Sequence, residues 1–270
     1  MTAFMYHLTY DFRTGLRDRS LLLMNYLFPL VFYVMMGLLM TGINPAFGVT
    51  MIPAMIIVAV MAGSLLGLPS PVVEAREAGI FRSFKINGVP ALSIVSIPVV
   101  SSFLHMILIS AIITLTAKPL FDATMPDNWG YFILVGLLVT FAIAGIGMLI
   151  GVISPNARST VLISQLIFLP SMMLSGLMVP TSMLPPTLYR VSMLLPPTYA
   201  MNAWRALCFG LPADFSPFWS LAILLAGGLI AFGLAIFMFS WDSQNQSRRH
   251  NPLLALLALI PYILGAILLG

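Results

Sequence analysis

The sequence predicts an all-α integral membrane protein, because it is too apolar for a soluble chain and its apolar stretches are long. Of its 270 residues 60% are hydrophobic and 7% are charged, and the mean hydropathy is +1.04. A soluble surface alone needs about 25% charged residues, so a soluble fold cannot cover these side chains. Each span satisfies its own backbone hydrogen bonds as a helix. We expect about six or seven spans of roughly 20 residues and no soluble catalytic domain.

The first twenty residues predict a helix that lies in the headgroup layer before the chain enters the membrane. Aromatic and aliphatic side chains mix with charged ones there, and the basic cluster follows the mildly apolar stretch. In a signal peptide the basic residues precede the apolar core, so this segment is not one. We expect Arg13, Arg17 and Arg19 to anchor the helix to anionic headgroups.

Uncharged runs then define a membrane domain over residues 21–241. A turn signal at 42–45 joins the first two spans, and Pro69 and Pro71 are expected to end the second. The predicted spans are 21–42, 46–68, 91–117, 130–153, 159–179 and 218–241. Residues 242–270 make a polar connector with Arg248 and Arg249 and an extra apolar run, 252–270, that is just long enough to cross.

Residues 180–217 are amphipathic and too interrupted by prolines to cross the membrane as one helix. They predict an outer re-entrant hairpin of two short helices that dip into the outer leaflet and return. Two interpretations stay open, a lid that seals a pathway and a stable extracellular cap. The residues singled out here are Pro180, Pro185, Pro186, Pro197, Tyr199 and Arg205.

The distribution of basic residues predicts a cytosolic N-terminus. With that orientation nine of the twelve Lys and Arg residues fall on the inner side, as the excess of basic residues in cytoplasmic loops requires. Lys118, Arg190 and Arg205 are then outside. A seventh span would also place the C-terminus outside.

One short inner segment, residues 73–85, carries five of the twenty formal charges. Its acidic residues Glu74 and Glu77 precede Arg82 and Lys85, which is the order that a helix dipole favours. We therefore expect a helix of about three turns that lies across the membrane face. An ordinary charged inner loop remains the alternative on charge alone.

Two separated motifs, REAGIFRSFKINGVP at residues 76–90 and LSGLMVP at residues 174–180, resemble those of the ABC-2 type permeases, the membrane subunits of one class of ATP-binding-cassette exporter. Residues 76–90, REAGIFRSFKINGVP, resemble the family's R-E-x-G-T-x-x-x-L…P segment, with Ile80 in place of the usual Thr. Residues 174–180, LSGLMVP, followed by LPPTYA at 195–200 and Trp204-Arg205, resemble F-x-S-G-x-x-x-P…N-P-x-T-Y…R, with Pro196 in place of Asn. The likeness extends from Met1 to about Trp241.

The resemblance implies a six-span bundle whose segment 73–85 is a cytosolic coupling helix. It implies two partners, an ABC nucleotide-binding subunit that binds ATP and Mg, and a second permease copy or a paralogue. The residues expected to contact the nucleotide-binding subunit are Glu74, Arg76, Glu77, Phe81 and Arg82.

The chain itself is not expected to bind ATP, a cofactor or a metal. A phosphate-binding GxxxxGK[ST] loop needs a lysine before Ser or Thr, whereas Lys85 precedes Ile86 and Lys118 precedes Pro119. No motif of an intramembrane enzyme or Cys/His metal cluster occurs, so no catalytic residue is assigned.

The sequence thus predicts a multi-pass permease subunit of the plasma or inner membrane that exports an amphipathic drug, lipid or lipid-linked glycan. Ions are disfavoured as substrates because no span contains an acidic residue. Two alternatives remain, a secondary transporter or channel, and a non-transporting membrane scaffold.

Overall fold

The computed structural model describes residues 2–43, 47–241 and 251–270, and within these ranges every regular element is helical. Seven of the described helices are long and apolar enough to cross a membrane, which confirms the all-α membrane fold. The spanning helices are α2 (Arg19–Met40), α3 (Phe47–Glu77), α5 (Ala91–Phe121), α6 (Trp129–Ile153), α7 (Ala157–Leu174), α10 (Pro217–Met238) and α11 (Pro252–Leu269). The shorter helices are α1 (Thr2–Arg17), α4 (Ile80–Ile86), α8 (Pro186–Ser192) and α9 (Pro196–Cys208).

Short connections make successive spans antiparallel, so their ends gather at two opposite faces. The first face holds residues 68–90, 153–158 and 239–241, and the second holds residues 121–128 and 175–217. Cross-contacts agree with this assignment. The Phe81 and Phe239 ring centroids lie 5.4 Å apart at the first face, and the Asp127 amide donates to the Cys208 carbonyl at 2.8 Å at the second.

Pro69 and Pro71 do not end the second span, contrary to the expectation from sequence. The helix passes through a π-helical turn, Ala62–Gly67, and continues as an α-helical segment, Pro69–Glu77. Both prolines lie in the first turn of that new segment, where the missing N–H costs no intrahelical hydrogen bond. The span therefore reaches Glu77 as part of α3.

Other boundaries shift by a few residues. Helix α5 extends to Phe121 and α7 ends at Leu174, beyond which residues 175–180 are irregular. The second half of the predicted turn at 42–45 and most of the polar connector, with Arg248 and Arg249, lie outside the described residues.

Helix α3 is the centre of the bundle, since 83% of the residues in its most apolar stretch are buried. It lies directly against α6 because glycines remove the side chains between them. A Cβ at Gly147 would lie 1.9 Å from the Ser64 carbonyl oxygen, and one at Gly151 would lie 3.1 Å from the Pro69 carbonyl oxygen. This backbone-to-backbone approach is the small-residue packing typical of membrane helices.

The C-terminal helix α11 packs on α10 and α9. It begins as a 3-10 helix over Pro252–Leu259 and becomes α-helical over Ile260–Leu269. The Tyr262 ring fills the space above Gly227, and the Tyr199 ring fills the space above Gly265. Because Tyr199 belongs to the second face, α11 ends at that face and runs antiparallel to α10.

We expect Gly147→Ala to destabilise the chain, because the added methyl group must push α3 away from α6. Overpacking of this kind costs about 1–3 kcal/mol. The control is Gly233→Ala in α10, where no atom lies within 4 Å of the added Cβ. Thermal unfolding of both purified variants in detergent measures the difference, and equal midpoints would contradict the close α3–α6 contact.

Candidate functional site

The charged segment at the first face consists of two helices, so the single helix predicted over residues 73–85 is wrong. Helix α3 ends at Glu77, and α4 begins at Ile80. Between them Gly79 has a φ of +73°, a left-handed conformation that glycine adopts without steric cost. The amide of Gly79 donates to the Arg76 carbonyl at 3.1 Å, so the break is a hydrogen-bonded corner.

Four charged side chains of this corner are exposed, namely Glu74, Glu77, Arg82 and Lys85. The two carboxylates belong to the end of α3 and the two cations to α4. Because both signs occur on adjoining helices, the corner presents a dipolar surface that we call the charged corner. Such a surface fixes the orientation and the rate of an encounter more than its affinity.

Arg76 is buried and holds two helices of its own chain together, which corrects its expected role as a partner contact. One guanidinium nitrogen donates to the Val152 carbonyl at 2.7 Å, and the other donates to the Ser154 carbonyl. These carbonyls close the C-terminal end of α6, which carries a partial negative charge. Arg76 therefore caps α6 and ties α3 to it at the first face.

Phe81 is also buried, which corrects its expected insertion into a partner's groove. Its ring packs against Phe239, and Phe239 in turn contacts Trp241 at a centroid distance of 5.3 Å. The groove that Phe81 fills is thus formed by the end of α10 in the same chain. Periodicity could not reveal this, because residues 81 and 239 are far apart in sequence.

Helix α1 packs on the bundle near the charged corner. The Phe12 ring stacks on His105 of α5 at a centroid distance of 4.3 Å, and His7 meets Phe84 of α4 edge-on at 5.3 Å. The basic side chains of Arg13, Arg17 and Arg19 are exposed. Their role as headgroup anchors stays a prediction.

Residues 180–217 at the second face form a short 3-10 turn, Thr181–Met183, and the helices α8 and α9. The prolines singled out in this segment lie before a helix or in its first turn. Pro185 precedes α8, Pro186 starts it, and Pro197 lies in the first turn of α9. Pro180, Pro185 and Pro186 are exposed, whereas Pro197 and Tyr199 are buried.

Helix α9 is held to the bundle by buried polar contacts. The indole nitrogen of Trp204 donates to the Phe132 carbonyl of α6 at 3.0 Å. The Tyr199 hydroxyl donates to the Met193 carbonyl at 2.7 Å, and burial raises the pKa of this hydroxyl, which keeps it protonated as a donor. Irregular backbone next to α9 is thereby buried in protein.

Asn202 and Asp214 form a junction that sequence reasoning did not single out. The Asn202 amide donates to the Phe215 carbonyl at 3.0 Å and accepts from the Asp214 backbone amide at 2.8 Å. The Asp214 carboxylate accepts from the Thr181 hydroxyl at 2.7 Å and lies 3.8 Å from the Arg205 guanidinium. Arg205 thus has a carboxylate partner on its own chain. The signal that the sequence offered for this junction was the amide side chain of Asn202 between Met201 and Ala203.

Within the described ranges no three His, Cys, Asp or Glu side chains lie close enough together to hold a metal ion. The residues at the two faces are placed to transmit a displacement from one face to the other. The charged corner offers a surface at one end of α3 and α6, and helix α9 closes on α6 at the other end. A displacement at one face would therefore move helices that reach the other.

A family model described as ABC-2 type transporter matches residues 2–209. The match includes α1, the charged corner and the helices α8 and α9 of the second face, and it ends before α10 and α11. No curated protein matches the chain.

We expect Arg76→Ala to lower the stability of the isolated chain, because two carbonyls at the end of α6 lose a charged donor. Hydrogen bonds to charged groups contribute about 1.5–3 kcal/mol each. Arg158→Ala is the matched control, since it removes the same kind of side chain from an exposed site at the same face. Thermal unfolding without any partner protein tests this, and equal midpoints would argue that Arg76 does not join α3 to α6.

Proposed function

Since the chain belongs to the ABC-2 type transporter family and is the permease subunit of an ABC-type transporter, we propose that it works as an exporter. It moves an amphipathic substrate out of the cytosol with energy from ATP. A separate nucleotide-binding subunit binds ATP and Mg and hydrolyses the nucleotide. The observation that carries this proposal is the charged corner, which offers an exposed docking surface continuous with the central helix of the bundle.

The docking surface in this proposal is narrower than the residue set that the sequence suggested. Glu74, Glu77 and Arg82 are exposed and contact the nucleotide-binding subunit, with Lys85 beside them. Arg76 and Phe81 are buried and support the corner from within. The charges orient the partner, and the rigid support carries its motion into the bundle.

The route of that motion runs through α3 and α6. A push on the charged corner moves Glu77, the last residue of α3, and through Arg76 it also moves the end of α6. Helix α6 reaches the second face, where Phe132 accepts the hydrogen bond from Trp204 of α9. Of the two interpretations of the outer segment, this contact favours a cap that moves with the bundle.

The assembly is a dimer of this chain or a pair with a paralogue, each copy bound to one nucleotide-binding subunit. It lies in the plasma or inner membrane with a cytosolic N-terminus. The exposed basic residues at the first face support that orientation, because Arg82, Lys85 and Arg158 all lie there. Membrane lipids surround the spans and meet Arg13, Arg17 and Arg19.

Charge reversal at the corner tests the docking surface. Glu74→Arg and Glu77→Arg should each reduce co-purification of the nucleotide-binding subunit and the ATPase activity of the complex, by about tenfold or more if the charge pairs are desolvated. Asp127→Arg, an exposed reversal at the second face, should leave both unchanged.

In this experiment the permease is co-expressed with the ATP-binding-cassette ATPases of its own genome, one at a time. Thermal unfolding of each variant alone verifies that it folds. Retention of full ATPase coupling in both corner variants would show that docking occurs elsewhere. If no ATPase of the genome copurifies with the unaltered chain, the exporter proposal fails.

The orientation is tested by labelling single cysteines in intact cells with a membrane-impermeant maleimide. In a Cys208→Ser background, Gly270→Cys should react from outside, whereas Lys85→Cys should react only after the membrane is permeabilised. Both positions are exposed, so a difference reports sidedness and not burial. The reverse pattern would contradict the proposed orientation.

A further inference from the structure

A cavity of about 280 Å³ lies between α1, α2, α3, α4 and α5, next to the charged corner. Its volume is close to the lower end of the range for small-molecule sites, which is about 300–1,000 Å³. It has an apolar end formed by side chains such as Leu68, Phe81 and Phe84, and a polar end deeper in the bundle.

The polar end is formed by buried groups on two helices, α2 and α5. Asn25 is 5% exposed, Ser102 is 6% exposed and His105 is 2% exposed. The Ser102 hydroxyl has no hydrogen-bond partner among the described residues, although an unpaired buried hydroxyl is costly. The imidazole Nδ1 of His105 lies 2.6 Å from the Tyr26 hydroxyl, which fixes the plane of the ring.

Glycines open the space around these polar groups. A Cβ at Gly67 would lie 2.9 Å from the Asn25 amide oxygen, and a Cβ at Gly15 would lie 2.4 Å from His105 Nε2. Any larger residue at either position would intrude on the polar groups. The cavity therefore depends on residues of both α1 and α3 and is not an accidental gap beside one helix.

The cavity also has a carboxylate. Asp11 of α1 lines it and bonds to the Ser101 hydroxyl, and burial raises the pKa of Asp11 above its usual value. Its other titratable neighbours in the lining are His7, Tyr10 and His105, and no Lys or Arg lines the cavity as described. The charge interaction with His7 opposes this rise in part. A desolvated carboxylate that no Lys or Arg in the lining neutralises favours a positively charged occupant.

We propose that this cavity binds an amphipathic organic monocation whose ammonium group carries N–H donors. The ammonium group donates to the Asp11 carboxylate, and a neighbouring hydroxyl or amine of the ligand bonds to Ser102 or Asn25. An aromatic or alkyl tail packs against Phe81 and Phe84, where a cation also gains from nearby rings. The size admits one drug-sized amine and not a lipid-linked glycan.

An amine bound in the cavity would affect the transport cycle. This consequence alone rests on the proposed function. The cavity wall includes Phe81, whose ring also supports the charged corner through Phe239. An occupant therefore contacts the same side chain that holds the docking surface. In a complex with the ATPase, the amine is a transported substrate that enters from the cytosolic side.

The test measures binding of tritiated propranolol, a naphthyl secondary amine, to the full chain in phosphatidylcholine nanodiscs without any ATPase. Empty nanodiscs give the background of membrane partitioning. Asp11→Asn should weaken saturable binding at least tenfold, because it removes the charge while keeping the shape. Asp18→Asn is the matched control, since Asp18 caps the start of α2 outside the cavity and asparagine also caps helices.

Two further measurements distinguish the loss of a specific contact from a folding defect. The neutral diol analogue of propranolol lacks the amine. It should displace tritiated propranolol only weakly, and to the same extent from the unaltered chain and from the Asp11→Asn variant. Ala75→Phe should abolish binding by filling the apolar end, because Ala75 lines the cavity. Thermal unfolding of each variant verifies its fold.

Absence of saturable binding above empty nanodiscs would overturn the proposal, as would unchanged binding in either Asp11→Asn or Ala75→Phe. Since the assay contains no ATPase, its outcome is independent of the docking experiment. A chain that binds the amine but couples to no ATPase would disprove the exporter function and leave the cavity site standing.

Discussion

The bond between Arg76 and the end of α6 is the interaction on which the rest of the first face depends. A helix in a membrane leaves its last carbonyls without partners, and water is scarce there. The guanidinium supplies two donors to these carbonyls, at Val152 and Ser154. The same contact fixes the end of α3, so the exposed carboxylates of Glu74 and Glu77 keep a defined position relative to the bundle.

At the second face, too, side chains bond to backbone groups that would otherwise lack partners. These side chains are neutral, or are charged and paired with an opposite charge. Trp204 donates to a carbonyl of α6, and Asn202 satisfies the backbone where the chain turns into α10. Asp214 is buried only in part and has both a hydroxyl donor and a cation beside it. Each face is thus closed by side chains that satisfy backbone groups, and α3 and α6 connect the two through glycine-mediated contact.

Helix α1 completes this arrangement by forming one wall of the cavity behind the charged corner. It is held by stacking of Phe12 on His105 and by the contact of His7 with Phe84. The bond of Asp11 to Ser101 and the close approach of Gly15 to His105 add to these contacts along α5. The only carboxylate that lines the cavity in the described chain, Asp11, belongs to this helix.

The sequence alone determined the membrane class, the number of apolar helices and the family, because hydropathy, span length and short motifs are local properties. It did not reveal that Arg76 and Phe81 are buried, since their partners at 152, 154 and 239 are distant in the chain. The continuation of α3 through Pro69 and the corner at Gly79 depend on a π-helical turn and a positive φ. Only tertiary packing decided which charges face outward and where a cavity remains, because burial is a property of neighbours and not of residue type.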